Sequence, residues 1–196
     1  MPLWGATDSD ESKPKNLTTA EKKQVFANAS GWVLEAGSAL SGNDNASATP
    51  EVLVAIGGLA TSIGAADVTE VEWITSTADK SEGFTLSVRV RYNEAVTVTG
   101  SPTIAVTNGN QGSGSGRGPH TLVYASGTGT NELIFNLAIG ANNGATNAND
   151  VLSIGAQNIL KPGGATIKDT AGTASDSAVA ISGAQGTAAG TLTVTA

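Results

Sequence analysis

His120 is the sole histidine of the 196 residues, and cysteine is absent. One imidazole and no thiolate cannot build a histidine-based or thiolate metal cluster. Beside Pro119, at the end of a glycine-rich stretch, His120 reads as an exposed loop or sheet-edge residue rather than a catalytic base. Carboxylates are more numerous. Glu70, Glu72, Asp79, Glu82 and Glu94 surround the first regular strands, and two of them could form the pair that general acid–base chemistry requires. Alternation places Glu70 and Glu72 on one strand face with Val71 and Trp73 on the other, so a solvated polar face also accounts for them. Asn142, Asn143, Asn147, Asn149 and Asp150 offer oxygen ligands for calcium. They match neither the EF-hand spacing nor the calcium-binding nonapeptide repeat, and Asn and Asp favour turns on their own account. Gly112, Gly114, Gly116 and Gly118 lack the strand–turn–helix setting of a dinucleotide fingerprint. Asn16, Asn28 and Asn45 begin Asn-x-Ser/Thr sequons, which matter only on a secreted chain. No catalytic, cofactor or metal set emerges, and an enzyme is the least expected class.

The elements around these residues are β-strands. Phe84 to Tyr92 alternates apolar and polar side chains without a fault, as a strand with one buried face demands. Asn93-Glu94 interrupts the pattern, Ala95 to Thr99 continues in β-prone residues, and Gly100-Ser101-Pro102 turns the chain into Thr103–Val106. Further strands are expected at 69–75, 121–124, 132–139, 151–154, 165–168, 178–181 and 190–195. Ser126 to Asn131 carries a hairpin signature. Residues 108–119, with Gly112 and the lone charge Arg117, read as a long exposed tip that ends at His120. Upstream, Thr18-Thr19-Ala20-Glu21 matches a capping box and predicts a helix over 18–29 with Val25, Phe26 and Ala29 as its apolar stripe. Trp32-Val33-Leu34 follows, and 51–56 reads as a buried strand. Residues 1–16 read as an extended arm. In it Trp4, beside Leu3, either folds back on its own domain or anchors into a partner, buried Trp being a favoured interface residue.

Leu, Ile, Val and Phe together number 41 of the 196 residues, so a core is possible but thin. Such a chain is expected to draw stability from a partner or from oligomerisation. The formal charge of −7 argues against nucleic acid, whose phosphates require a basic face. The first residues, Met1-Pro2-Leu3-Trp4-Gly5, show neither the basic nor the apolar region of a secretory signal, and no apolar run is long enough to span a membrane. The expectation is a protein that stays in the cytoplasm where it is made, without a membrane partner.

Tyr92-Asn93-Glu94-Ala95-Val96-Thr97-Val98-Thr99-Gly100-Ser101-Pro102-Thr103, Tyr124 to Asn131 and Gly163 to Gly172 together resemble the Ig-like repeat of large bacterial and cyanobacterial surface proteins. The resemblance covers about residues 70–181. Met1 to Gly5, Gly31-Trp32-Val33 and Glu51 to Ile56 look like small virion proteins of tailed phages of marine bacteria, cyanophages especially. The resemblance implies an all-β protein. An Ig-like β-sandwich over 67–196 would carry an extended arm and small subdomain over 1–66. It further implies a non-enzymatic capsid decoration or cement protein on the outer surface of the virion, binding the major capsid protein as a homo-oligomer, with a trimer favoured. Trp4, Leu3, Phe26 and Trp32 would make the capsid contacts. The alternative is a tail- or fibre-associated adhesin module that recognises host glycans.

Overall fold

A computed structural model describes residues 13–14, 17–109, 118–171 and 176–196. The expected anchors Leu3 and Trp4 and the expected tip residues Gly112 and Arg117 lie outside the described residues. The fold is all-β. Strands make up 48% of it, and the three helices among the described residues are short.

One strand organises the rest. β6 (Gly83–Thr99) is 17 residues long. Leu86, Val88, Val90 and Tyr92 are fully buried on one face, and the polar alternates face the other way. β4 (Val68–Trp73) pairs with it antiparallel on one side and β9 (Thr130–Gly140) on the other. Asn93-Glu94 does not end the strand. Instead the register with β9 shifts between Arg91 and Val96, and the strand continues against β12 (Thr166–Asp169). Beyond β9 the order runs through β8 (His120–Ser126), β7 (Thr103–Gly109), β10 (Val151–Ser153) and β14 (Thr191–Thr195) to β5 (Ala78–Asp79). The expected hairpin joins β8 to β9. Gly127 has φ of 111°, and a Cβ there would lie 1.9 Å from the Glu132 carbonyl oxygen, so only glycine fits the turn. Leu133, Phe135 and Ile139 share the buried face of β9 as the alternation predicts. β11 (Gln157–Asn158) and β13 (Ala180–Ile181) form a separate two-stranded ladder.

The N-terminal segment departs from its pattern. The helix α1 spans Thr19–Lys22 alone, and Thr18 and Glu21 complete the expected capping box. Val25, placed on a helix by periodicity, instead begins β1 (Val25–Asn28), which pairs with β2 (Gly31–Leu34). A short isolated helix is marginal in water, and burying Val25 and Ala27 between strands wins over the local cap. β2 in turn pairs with β3 (Glu51–Ala55). Gly31, with φ of 136°, permits the close approach of β3, since a Cβ there would lie 2.0 Å from the Val54 carbonyl oxygen. β3 is not the buried strand its apolar run suggested. It is the last strand of the sheet and mostly exposed, with only Val54 packed against the smaller core.

Two apolar clusters result. The larger lies beneath β6, β9, β8, β7, β10 and β14 and includes Val88, Phe135 and Leu152. The smaller unites Val25, Trp32, Leu34 and Leu59 with Ile63, and α2 (Leu59–Ser62) supplies its lid. Yet β1 runs parallel to β6, with Ala27 opposite Glu94, so the N-terminal strands belong to the same sheet as the rest. A third helix, α3 (Gly183–Ala189), begins in a Ser182–Gln185 capping box that the sequence reading passed over. The Gln185 side chain donates to the Val68 carbonyl and holds the helix against β4.

Candidate functional site

A cleft of about 530 Å³ lies where the N-terminal segment meets the polar face of β6. Three adjacent strands build its floor. Register sets Glu70 of β4 opposite Arg91 of β6, Glu72 opposite Arg89, and Arg91 opposite Glu132 of β9. Opposite charges directly across a ladder attract, and here the period-two alternation gives each strand one charge sign on this face. Lys13, Lys23 and Glu35 of the N-terminal segment close over it.

Arg91 is the hub. Its Nε lies 2.7 Å from Glu132 Oε1 and 3.6 Å from Glu35 Oε1, and its Nη1 lies 3.1 Å from Glu70 Oε2 and 3.4 Å from Glu72 Oε1. Arg89 Nη1 reaches Glu72 Oε1 at 2.9 Å and Glu132 Oε1 at 3.4 Å, and Lys23 pairs with Glu70. Glu70 is only 8% exposed, so the solvated face expected for Glu70 and Glu72 is covered at Glu70, while Glu72 stays part-exposed at the cleft. The N-terminal segment that covers it lies far away in sequence, which is why alternation alone could not show it. Four carboxylates (Glu35, Glu70, Glu72, Glu132) form ion pairs with three cations (Lys23, Arg89, Arg91), and Lys13 lies close by. The arrangement is a joint.

Burial acts on the groups that close the joint. It pulls the Lys13 ammonium down to about 8 despite the attraction of Glu35, and Lys13 Nζ donates to the Lys22 carbonyl at 2.8 Å. Burial also depresses the Arg91 guanidinium, but Glu35 and Glu132 more than reverse this and leave it above its ordinary value. The Glu35 carboxyl is raised because desolvation outweighs the hydrogen bond from Asn131 Nδ2 (2.8 Å) and the pull of Arg91. A carboxyl raised in the folded state contributes stability that is present at low pH and lost as pH rises through its folded value. Glu35→Gln keeps an acceptor for Asn131, so its stability relative to wild type is expected to improve from about pH 4 to about pH 7. Urea midpoints at the two pH values check this. A wild-type advantage that grows with pH would contradict it.

The other sequence candidates are dispersed. His120 is not in an exposed tip. It is the first residue of β8, opposite Val106, and only 4% exposed. Burial lowers its pKa, partly opposed by the nearby Asp150 carboxylate, and Nε2 has no hydrogen-bond partner among the described residues. Asp150 accepts from the Asn147 amide (2.8 Å) and from Asn108 Nδ2 (3.0 Å), which pins the polar loop before β10. Among the described residues no three His, Cys, Asp or Glu side chains come together as a metal site. Asp79 caps its own turn through the Ser81 amide and hydroxyl. Trp32, expected as a partner anchor, is fully buried in the smaller core, because the alternation of β2 faces it onto Leu59 and Ile63. Phe26 is half-buried at the rim of a shallower cleft beside Pro50 and Thr130. The arginines were the residues sequence reasoning missed. Arg-x-Arg on β6 flanked by Glu-x-Glu on β4 was the available signal.

Compared with family models, curated proteins and solved structures, the chain matches none. No described helix is long and apolar enough to cross a membrane.

Proposed function

We propose that this chain is a non-enzymatic structural protein of a phage particle, a capsid decoration protein that binds the major capsid protein and cements adjoining subunits. The observation that carries the structural reading is the joint beneath Arg91. The residues with the chemistry of an active site are there paired with one another, and Lys23–Glu70 and Arg91–Glu35 tie the N-terminal unit to the sheet. The capsid assignment itself comes from the likeness of the N-terminal residues to small virion proteins. In this reading residues 67–196 form an Ig-like outer module, while the N-terminal unit and the arm face the capsid. With Trp32 committed to the core, Trp4, Leu3 and half-buried Phe26 remain as anchors. Many copies on a lattice convert weak contacts into firm attachment.

Trp4→Ala, or deletion of residues 1–12, is expected to leave the β-sheet folded and to lower head occupancy by at least about tenfold, the loss of one anchor's worth of binding. Quantitative gels of purified heads read this out. Undiminished occupancy contradicts the anchor role, and recovery of the wild-type chain with tails instead of heads contradicts the decoration assignment.

A further inference from the structure

A second cleft, of about 290 Å³, shares Lys23 with the cleft over β6. Its walls come from α1 (Thr19, Lys22), β4 (Thr69) and α3 (Gln185), and Lys13 lies along it. Positive charge collects here. Four of the chain's ten lysines and arginines fall within residues 13–23, although the chain as a whole carries −7. Lys23 pairs with Glu70, whereas neither Lys13 nor Lys22 makes an ion pair among the described residues.

Lys13 is an unusual amine for its setting. Its Nζ donates to the Lys22 backbone carbonyl at 2.8 Å, a neutral acceptor. Burial opposes its ammonium form most strongly, and the Arg91 and Lys22 cations add to that; the Glu35 and Glu70 carboxylates only partly compensate. At about 8, the group is neutral in about half the molecules at that pH. An ordinary surface lysine is neutral there in about one molecule in 250. A lysine that is desolvated and set beside other cations is the form of this side chain that attacks carbonyl carbon.

We propose that Lys13 is a covalent modification site whose amine condenses with small carbonyl compounds that bear an anionic group. The nitrogen lone pair adds to the carbonyl carbon and a C–N bond forms. The carbonyl oxygen then leaves as water with the two amine protons, so an imine replaces the amine with no change of oxidation state. Lys22, on the wall of the same cleft and without a carboxylate partner, supplies the charge that draws the anion. The cleft lies at the lower end of small-molecule sites, about 300–1,000 Å³, which limits the compound to a small one.

Pyridoxal phosphate, an aldehyde carrying a phosphate, is the probe, and pyridoxal is its phosphate-free counterpart. Full-length protein is treated with either one. Borohydride then fixes the imine by delivering hydride to its carbon, and mass spectrometry identifies the labelled peptides. The α-amino group titrates in the same range as Lys13, so its peptide is counted separately. Near pH 8, Lys13 is expected to take at least about tenfold more label than Lys161 or Lys168, both exposed. Its labelling should level off above about pH 9, whereas an ordinary surface lysine gains about tenfold per pH step toward pH 10. Lys22→Gln, with circular dichroism unchanged, should lower the preference for pyridoxal phosphate over pyridoxal by roughly fivefold. Label spread evenly over the lysines, a Lys13 profile that climbs with the exposed ones, a wild-type chain indifferent to the phosphate, or a preference unmoved in Lys22→Gln would each overturn the proposal.

Discussion

Trp32→Ala is expected to cost about 3–5 kcal/mol, the range for truncating a large buried aromatic. Trp32 is fully buried and is among the largest side chains so enclosed. Its neighbours Val25, Leu34, Leu59 and Ile63 come from β1, β2, α2 and the residue after it, so they cannot collapse together without moving several elements. The smaller core has few other large side chains to compensate. The loss should therefore be regional. Residues 17–63 are expected to become susceptible to protease at denaturant concentrations that leave the larger core folded, because cooperative units open at their own free energies. Urea unfolding followed by circular dichroism, with limited proteolysis at intermediate urea, tests both parts. A cost under about 1 kcal/mol would mean that Trp32 does not organise this core.

Arg91→Ala is expected to cost a similar amount, about 3–5 kcal/mol, for a different reason. Arg91 is 7% exposed and touches Glu35, Glu70, Glu72 and Glu132. Its removal leaves Glu70 and Glu35 covered with too little positive charge, and uncompensated buried carboxylates are far more costly than the pairs are stabilising. Glu72→Ala supplies the contrast. Its side chain is 31% exposed, and its loss should cost less than about 1 kcal/mol. Acidification should partly restore Arg91→Ala, since protonation neutralises the stranded carboxylates. Equal effects of the two substitutions, or no recovery at lower pH, would show that the joint is held by packing and not by charge.

The sheet was legible wherever alternation reports burial directly. The run Phe84–Tyr92 placed β6, Leu133 to Ile139 gave the buried face of β9, and glycines marked the turn between β8 and β9. The failures come from what pairs with or covers a segment, which the segment's own pattern does not contain. Val25 and Phe26 fit a helical stripe until β2 offers a strand to pair with. Glu51 to Ala55 looks buried because it is apolar, yet it lies at the sheet's edge. Glu70 and Glu72 look solvated because a strand pattern contains nothing about what folds over it. His120 took its expected exposure from the glycines before it, whereas β8 begins at the histidine itself. At the joint, the carboxylates were visible one strand at a time. Their neutralisation depends on the β4–β6–β9 register, which no single segment specifies.

Cryo-electron microscopy of the assembled particle tests the central claim most directly. The account predicts density for the β1–β3 unit against capsid subunits on the outside of the head, with the larger β-unit projecting outward. Heads that lack the chain while it occupies fibres or the tail would contradict the account.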